Sequence, residues 1–149
     1  MTSDSYGTLY IVSTPIGNLK DITFRAVEIL SSVSMIAAED TRHSKKLFQH
    51  YNISTPSISF FEHNRTARIP QIVSNLKKGN HIALISDAGT PGISDPAYRL
   101  IREAIAEEIT VESIPGPTAL IAGIVSSGLP TDRILFEGFL PPKKGRKKR

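Results

Sequence analysis

The sequence contains no cysteine among its 149 residues, so disulfide bonds and thiolate metal sites are excluded. A cysteine-free chain fits a reducing cytoplasm, which is the compartment we expect. The sequence has no run of eighteen apolar residues and no basic-then-apolar amino terminus, and it therefore predicts neither a membrane span nor a signal peptide. No metal site is predicted either, because the four histidines lack a ligand spacing such as H-x-x-x-H (His43, His50, His63 and His81).

Three common loop motifs are also missing. The pattern G-x-x-x-x-G-K-[ST] does not occur, which disfavours a P-loop nucleoside triphosphatase. Gly89 and Gly92 are spaced G-x-x-G rather than G-x-G-x-x-G, which disfavours a dinucleotide-binding Rossmann domain. The absence of G-x-S-x-G counts against an α/β-hydrolase.

Charge is distributed unevenly along the chain. The formal net charge is +4, yet six of the eighteen lysines and arginines lie among the last seven residues. The rest of the chain carries twelve basic and fourteen acidic residues, a net charge of −2. The cationic stretch 143–149 could bind the phosphates of a polyanion in a salt-dependent way, or it could be a solvated linker. Charge alone does not identify RNA as the partner.

Apolar runs alternate with segments of helical periodicity. This order predicts an α/β fold, with a mainly parallel twisted sheet and helices on both faces. Pro70 leaves the start of the third helix open, because an interior proline removes a backbone hydrogen bond. The predicted strands cover 8–13, 35–38, 57–61, 81–86, 109–114 and 134–139, and the predicted helices cover 23–32, 42–51, 66–78, 97–107 and 117–127.

Three of the strand-to-helix junctions contain both proline and glycine, at Ser13–Asn18, Asp87–Pro96 and Ile114–Ala119. If the strands are parallel, these loops share the carboxyl edge of the sheet, where open α/β sheets place ligands. Ordinary turn chemistry favours the same residues and is the alternative. In the second loop that alternative is a helix cap formed by Ser94 or Asp95, which does not account for the residues before them.

Six segments stand in the order found in a known family. Together they resemble the amino-terminal domain of the ribosomal RNA small subunit methyltransferase I family, within the tetrapyrrole (corrin/porphyrin) methylase superfamily. The segments are T-P-I-G-N-L-K-D-I-T at 14–23, A-E-D-T-R at 38–42, S-D-A-G-T-P-G-I-S-D-P at 86–96, P-G-P-T-A at 115–119, G-L-P-T-D-R at 128–133 and F-E-G-F-L-P at 136–141.

The resemblance implies transfer of a methyl group from S-adenosylmethionine to the ribose 2′-hydroxyl of a cytidine in 16S ribosomal RNA, free or within the small ribosomal subunit. It also implies a homodimer, and a second α/β domain that encloses the cofactor together with the first. We therefore expect a disordered N-terminus over 1–7, an amino-terminal methylase domain over 8–140 and a basic linker over 141–149 towards a missing second domain. The isolated piece is expected to be inactive.

Matching positions to the superfamily assigns the cofactor to two loops. The glycines would allow backbone contact, Thr90 or Ser94 could bind the methionine carboxylate or amine, and Asp87 could accept from the ammonium. The alternative for Asp87 is a carboxylate that organises its own loop. The predicted cofactor residues are Asp87, Gly89, Thr90, Gly92, Ser94, Pro115, Gly116, Thr118 and Ala119.

The first loop is expected to face the RNA, through Thr14, Pro15, Gly17 and Asn18, with Arg42 as a phosphate contact. A base for the hydroxyl proton could be a nearby carboxylate or imidazole. Asp40 and His63 are the candidates, because each follows a predicted strand. The alternatives are a helix cap for Asp40 and a surface loop position for His63.

Two other functions remain open from the sequence. A methylase of this superfamily could act on a small molecule such as a tetrapyrrole, which would show an absorbance shift on titration. The chain could instead be a non-catalytic RNA-binding module that uses residues 143–149 and ignores S-adenosylmethionine.

Overall fold

The computed structural model describes residues 5–140, which divide into two compact units between Ala119 and Leu120. The expected basic linker at 141–149 lies outside the described residues, as do the first four residues of the expected disordered N-terminus. Gly7 belongs to the first unit, and its amide donates a hydrogen bond to the Leu76 carbonyl at 2.7 Å. Within the described part of the chain, every helix falls short of the length and apolarity that a membrane span requires.

The sheet contains five parallel strands, and it confirms the predicted α/β class. Its spatial order is β3-β2-β4-β1-β5. The fully buried β4 lies at its centre, as its uninterrupted apolar sequence requires. The strands are β1 (Leu9–Val12), β2 (Met35–Ala38), β3 (Ser57–Ser59), β4 (Ile82–Ile85) and β5 (Val111–Ile114).

The helices lie within two residues of their predicted bounds. They are α1 (Phe24–Ser32), α2 (Thr41–His50), α3 (Arg65–Lys77), α4 (Ala97–Ala106) and α5 (Ala119–Ser126), and a short 3-10 helix covers Leu19–Asp21. Pro70 lies inside α3, so that helix begins well before its proline.

The strand predicted over 134–139 is wrong. These residues form no ladder, and all of them are exposed. Their β-branched and aromatic side chains favour extended backbone, but a strand also needs a neighbour that accepts and donates its backbone hydrogen bonds.

Helices cover the sheet on two faces because strand residues alternate between them. Leu9 and Ile11 point into a core cluster that contains the buried residues of α3 and α4. Val12 points into a second cluster that contains the buried residues of α1 and α2. The two sides are called the α3/α4 face and the α1/α2 face below.

Adjacent strands β1 and β4 send the chain to opposite faces of the sheet. The chain leaves β1 towards α1 on the α1/α2 face, and it leaves β4 towards α4 on the α3/α4 face. Such a reversal opens a crevice at the carboxyl ends of the two strands, which is where doubly wound sheets bind ligands. The topology therefore places a candidate site between the ends of β1 and β4.

Candidate functional site

Five loops form a row along the carboxyl edge of the sheet. The three proline- and glycine-containing loops predicted to meet are neighbours in it, because the strand order places β4, β1 and β5 side by side. In spatial order the loops are the β3 loop (60–64), the β2 loop (39–40, leading into α2), the β4 loop (86–96), the β1 loop (13–18) and the β5 loop (115–118).

The β1 and β4 loops are joined by a backbone bridge across the crevice. The Thr14 amide donates to the Gly89 carbonyl, and the Gly89 amide donates to the Thr14 carbonyl, each at 3.0 Å. Gly89 adopts φ +80°, a conformation that side-chain-bearing residues rarely take. A Cβ at that position would also lie 3.2 Å from the Ile16 side chain. The bridge therefore depends on the glycine.

Thr90 ties all three predicted loops together. Its hydroxyl lies 2.8 Å from the Ser13 hydroxyl and donates to the Pro117 carbonyl at 3.1 Å. Gly116 completes the junction by close approach, since a Cβ there would lie 2.8 Å from the Ser13 Cβ. Because its proton goes to Pro117, Thr90 is an organiser of the loops in this structure. Ser94, the alternative contact for the methionine group, is exposed.

The β2 and β4 loops hold each other through reciprocal contacts between carboxylates and amides. Asp87 Oδ1 accepts from the Asp40 amide at 3.0 Å, and Glu39 Oε2 accepts from the Asp87 amide at 3.2 Å. Asp87 thus binds a backbone amide of the neighbouring β2 loop rather than one of its own loop.

Glu39 is the site residue that the sequence did not single out. Burial raises the pKa of its carboxyl above the ordinary 4.5, and the Asp87, Asp95 and Asp40 carboxylates add to the rise. The Asp87 amide partly opposes it. The available signal was a carboxylate placed directly after a buried strand in A-E-D-T-R.

Asp40 is the N-cap of α2, as its alternative interpretation held. Its Oδ1 accepts from the Arg42 amide at 2.8 Å, and both of its oxygens accept from the Arg42 guanidinium, at 3.1 and 2.9 Å. These hydrogen bonds from Arg42 lower the pKa of Asp40 to about 2. The Arg42 side chain is 90% exposed and can still reach a ligand.

Asp95 fixes the end of the β4 loop. Its Oδ2 accepts from the Gly92 amide at 2.7 Å, and its Oδ1 accepts from the Ala97 amide at the start of α4 at 2.9 Å. Pro96 occupies the N-cap position of α4, and Asp95, the residue before it, binds both the first amide of the helix and the glycine turn. One side chain thus sets both the loop shape and the helix start.

An open cavity of about 260 Å³ lies on the α1/α2 face beside the crevice. It brings together three predicted RNA contacts, Thr14, Pro15 and Gly17, and one predicted cofactor contact, Asp87. Helix α2 supplies two basic groups to the wall, His43 and Lys46, and the remaining lining residues are Leu19, Ser44, Leu47, Ile85 and Ser86.

The other predicted residues take different positions. Asn18 caps the 3-10 helix, where its Oδ1 accepts from the Lys20 amide at 3.1 Å. His63 is exposed in the β3 loop, at the outer end of the row and beyond the β2 loop. Pro115 is exposed and Thr118 half-buried in the β5 loop, and Ala119 is the first residue of α5.

Comparison with known proteins gives relatives of high identity. The chain is 58% identical to ribosomal RNA small subunit methyltransferase I of Synechocystis sp., over 92% of this chain and 49% of that protein. It is 53% identical to the protein of the same name from Pseudomonas aeruginosa, over 97% of this chain and 52% of that protein. The chain thus spans about half the length of the curated relatives it matches.

Solved structures share the fold at low identity. The crystal structure of uroporphyrin-III-C-methyltransferase from Thermus thermophilus superposes with a TM-score of 0.63 at 18% identity, covering 83% of this chain and 53% of that one. The family model of the Tetrapyrrole (Corrin/Porphyrin) Methylases matches residues 8–149. Together with the parallel sheet and its three joined loops, this match shows that the chain belongs to the tetrapyrrole methylase family.

Proposed function

We propose that the chain forms one half of an S-adenosylmethionine-dependent methyltransferase that acts on the ribose 2′-hydroxyl of a cytidine in 16S ribosomal RNA. The observation that carries the proposal is the junction of the β1, β4 and β5 loops at the switch point of the sheet. The relatives named ribosomal RNA small subunit methyltransferase I support the substrate class.

The β4 and β5 loops form one wall of the proposed cofactor site. The polar groups there fit an amino-acid zwitterion: the Ser94 hydroxyl is exposed and can donate to a carboxylate. Asp87 binds the Asp40 amide through Oδ1, and among the described residues its Oδ2 has no hydrogen-bond partner. That second oxygen can accept from an ammonium group. The exposed backbone of Pro115 and Gly116 can come close to a ligand.

The cavity beside the β1 loop is the proposed place of the methyl acceptor. Thr14 and Gly17 line it on one side, and Lys46 on α2 provides a cation that can bind a phosphate of the RNA. Arg42 is the second residue of the same helix and is held by Asp40, and we propose it as a second phosphate contact. The crevice thus lies between the proposed cofactor wall and the proposed acceptor cavity.

When bound, S-adenosylmethionine supplies a methyl group on a sulfonium whose sulfur is a good leaving group. The chain's part is to align the 2′-oxygen with that carbon and to exclude competing water, and alignment alone can contribute several powers of ten in rate. Once held by the β4 and β5 loops, the cofactor would supply the methyl group, its C–S bond being replaced by the new O–C bond, and a base of the chain or water would take the 2′-hydroxyl proton.

The two proposed bases are Asp40 and His63. A pKa of about 2 makes Asp40 a weak proton acceptor, so the geometry disfavours it and assigns it to holding Arg42. His63, in the exposed β3 loop, is the remaining candidate. Methylation rates of the Asp40→Asn and His63→Gln variants across pH would separate the two.

The test is calorimetric titration with S-adenosylhomocysteine, followed by methyl transfer to unmodified small ribosomal subunits. The 149-residue chain is compared with the full-length Synechocystis relative and with a relative mutated at the position of Thr90. We expect tight binding by the intact relative, weak binding by this chain, and a loss on mutation. Absence of binding in both this chain and the intact relative would overturn the proposal.

The remaining partners are proposed on the same basis. We expect the complete protein to act in the cytoplasm on 16S ribosomal RNA, free or assembled, and to form a homodimer. Sedimentation velocity at micromolar concentration measures the oligomeric state, and a monomer would contradict that part.

A further inference from the structure

A groove of about 480 Å³ runs between the amino-terminal halves of α3 and α4, on the face opposite the acceptor cavity. Arg65 on α3 and Arg99 and Arg102 on α4 supply its basic walls, while Ile69 and Pro70 supply apolar surface. It is called the α3/α4 groove here.

Two of the three guanidinium groups are available to a ligand. Arg65 pairs with Glu62, and Glu103 offsets part of the remaining charge. Within residues 5–140, neither Arg99 nor Arg102 has a carboxylate within 4 Å. Both are exposed, and they lie three residues apart on α4, which puts their side chains on one side of the helix.

Tyr98 orients Arg99 in advance. Arg99 Nε donates to the Tyr98 hydroxyl at 3.0 Å, and the guanidinium carbon lies 5.7 Å from the Tyr98 ring centroid. This arrangement uses Nε of Arg99 and leaves its two terminal nitrogens to bind an anion. Two such neighbouring N–H donors match the spacing of two oxygens of a phosphate. The half-exposed tyrosine ring also offers a surface on which a base could stack.

The basic end of the groove is the end nearest the candidate site. Arg65 is the first residue of α3, which directly follows the β3 loop, and Arg99 lies in the first turn of α4, which follows the β4 loop. At the other end of α3, Lys77 is paired with Glu107, whereas Lys78 is exposed. The groove differs in holding two such cations, Arg99 and Arg102, on one side of α4 and towards the row of loops.

We propose that the α3/α4 groove binds the phosphodiester backbone of the RNA strand that flanks the target nucleotide. This inference rests on the proposed function, and it adds a contact surface that the acceptor cavity does not provide. Arg99 and Arg102 are the two phosphate contacts, and Tyr98 is the positioning residue that holds Arg99.

The experiment measures binding of a short fluorescein-labelled single-stranded RNA by anisotropy at several salt concentrations. The proteins are the full chain, its Arg99→Gln/Arg102→Gln double variant and a Lys78→Gln control. Lys78 is an exposed residue at the opposite end of α3, and its replacement by glutamine removes one positive charge there. Residues 143–149 are the same in all three, so differences report on the substituted positions.

We expect the double variant to bind several-fold more weakly and to lose about 1.4 from the slope of log K against log salt, at about 0.7 per phosphate contact. The control should keep the wild-type slope. Equal slopes in the double variant and the wild type would overturn the groove. In a parallel titration with vesicles of anionic lipid, a double variant that binds the vesicles more weakly but binds RNA as the wild type does would also overturn it and indicate a membrane surface.

Cofactor titration separates this inference from the proposed function. S-adenosylhomocysteine should raise the thermal stability of the groove variants by the same amount as that of the wild type. The reason is that no groove residue belongs to the contacts of the β4 or β5 loop. Unchanged RNA binding by the double variant would reject the groove alone, whereas an absence of cofactor binding by both this chain and the full-length Synechocystis relative would reject the function.

Discussion

The Asp87 amide donates a 3.2 Å hydrogen bond to Glu39 Oε2, so the end of β4 is held by a carboxylate from the end of β2. Glu39 is half-buried beside three aspartates, Asp87, Asp95 and Asp40, and burial raises the pKa of its carboxyl above 4.5. An acid whose pKa is raised by folding stabilises the native state below its unfolded pKa, and that contribution is lost as the pH rises through the folded value.

Glu39→Gln should therefore become more stable relative to the wild type as the pH rises above 4.5 and through the raised pKa of Glu39. The glutamine oxygen can still accept from the Asp87 amide, but the side chain carries no charge to desolvate. Urea unfolding at several pH values measures the difference. Glu28→Gln in α1 is the control, because it removes a carboxylate from an exposed residue. A pH-independent difference for Glu39→Gln would contradict the assignment.

Thr90→Val should lower the free energy of unfolding by about 1–3 kcal/mol. The change removes the hydroxyl that joins Ser13 to the Pro117 carbonyl, and Ser13 is only 1% exposed, so water cannot readily replace the lost partner. Thr110→Val is the matched control at an exposed threonine. Urea unfolding compares the two.

A double variant tests whether Ser13 and Thr90 act together. Ser13→Ala combined with Thr90→Val should cost less than the sum of the single changes, since both remove the same hydrogen bond. Additive effects would mean that the two hydroxyls act independently.

Gly116→Ala should destabilise the chain by about 1–3 kcal/mol, because the new methyl group would overpack against the Ser13 Cβ at 2.8 Å. The same substitution at Gly123, inside α5, meets nothing within 4 Å. It should be neutral or should stabilise the helix by about 0.5–1 kcal/mol. Thermal unfolding of both variants checks the contrast, and an equal loss would show that the approach of the β5 loop is not tight.

The sequence predicted the sheet and the meeting of the three loops because both follow from periodicity and topology. The buried run at Ile82–Ile85 could only be a central strand, and parallel strands bring their carboxyl ends to one edge. The strand at 134–139 failed because its apolar residues give a local preference, whereas a strand needs a hydrogen-bonded neighbour.

The links within the site could not be predicted in the same way. Thr90 bonds to Ser13, 77 residues away, and Pro117, 27 residues away, and no spacing rule selects those partners. The burial of Glu39 likewise arises from packing against the β4 loop, although its neighbour Asp40 was recognisable as a helix cap before α2.

Asp40 and Arg42 provide the last prediction, which separates a cap from a base. A carboxyl whose pKa is lowered by folding stabilises the native state above its ordinary value of 3.8, and that contribution is lost as the pH falls towards about 2. Arg42→Gln removes the guanidinium that holds the pKa of Asp40 down, so acid unfolding should begin at a higher pH than in the wild type.

Asp40→Asn keeps a capping oxygen for the Arg42 amide but cannot accept a proton from a hydroxyl. We expect it to fold normally. The same substitution at the matching position of the full-length Synechocystis relative should retain most of the methyl-transfer rate with an unchanged pH profile. NMR titration of the Asp40 carboxyl checks its lowered pKa. A folded Asp40→Asn protein without methyl transfer would show that Asp40 is the base.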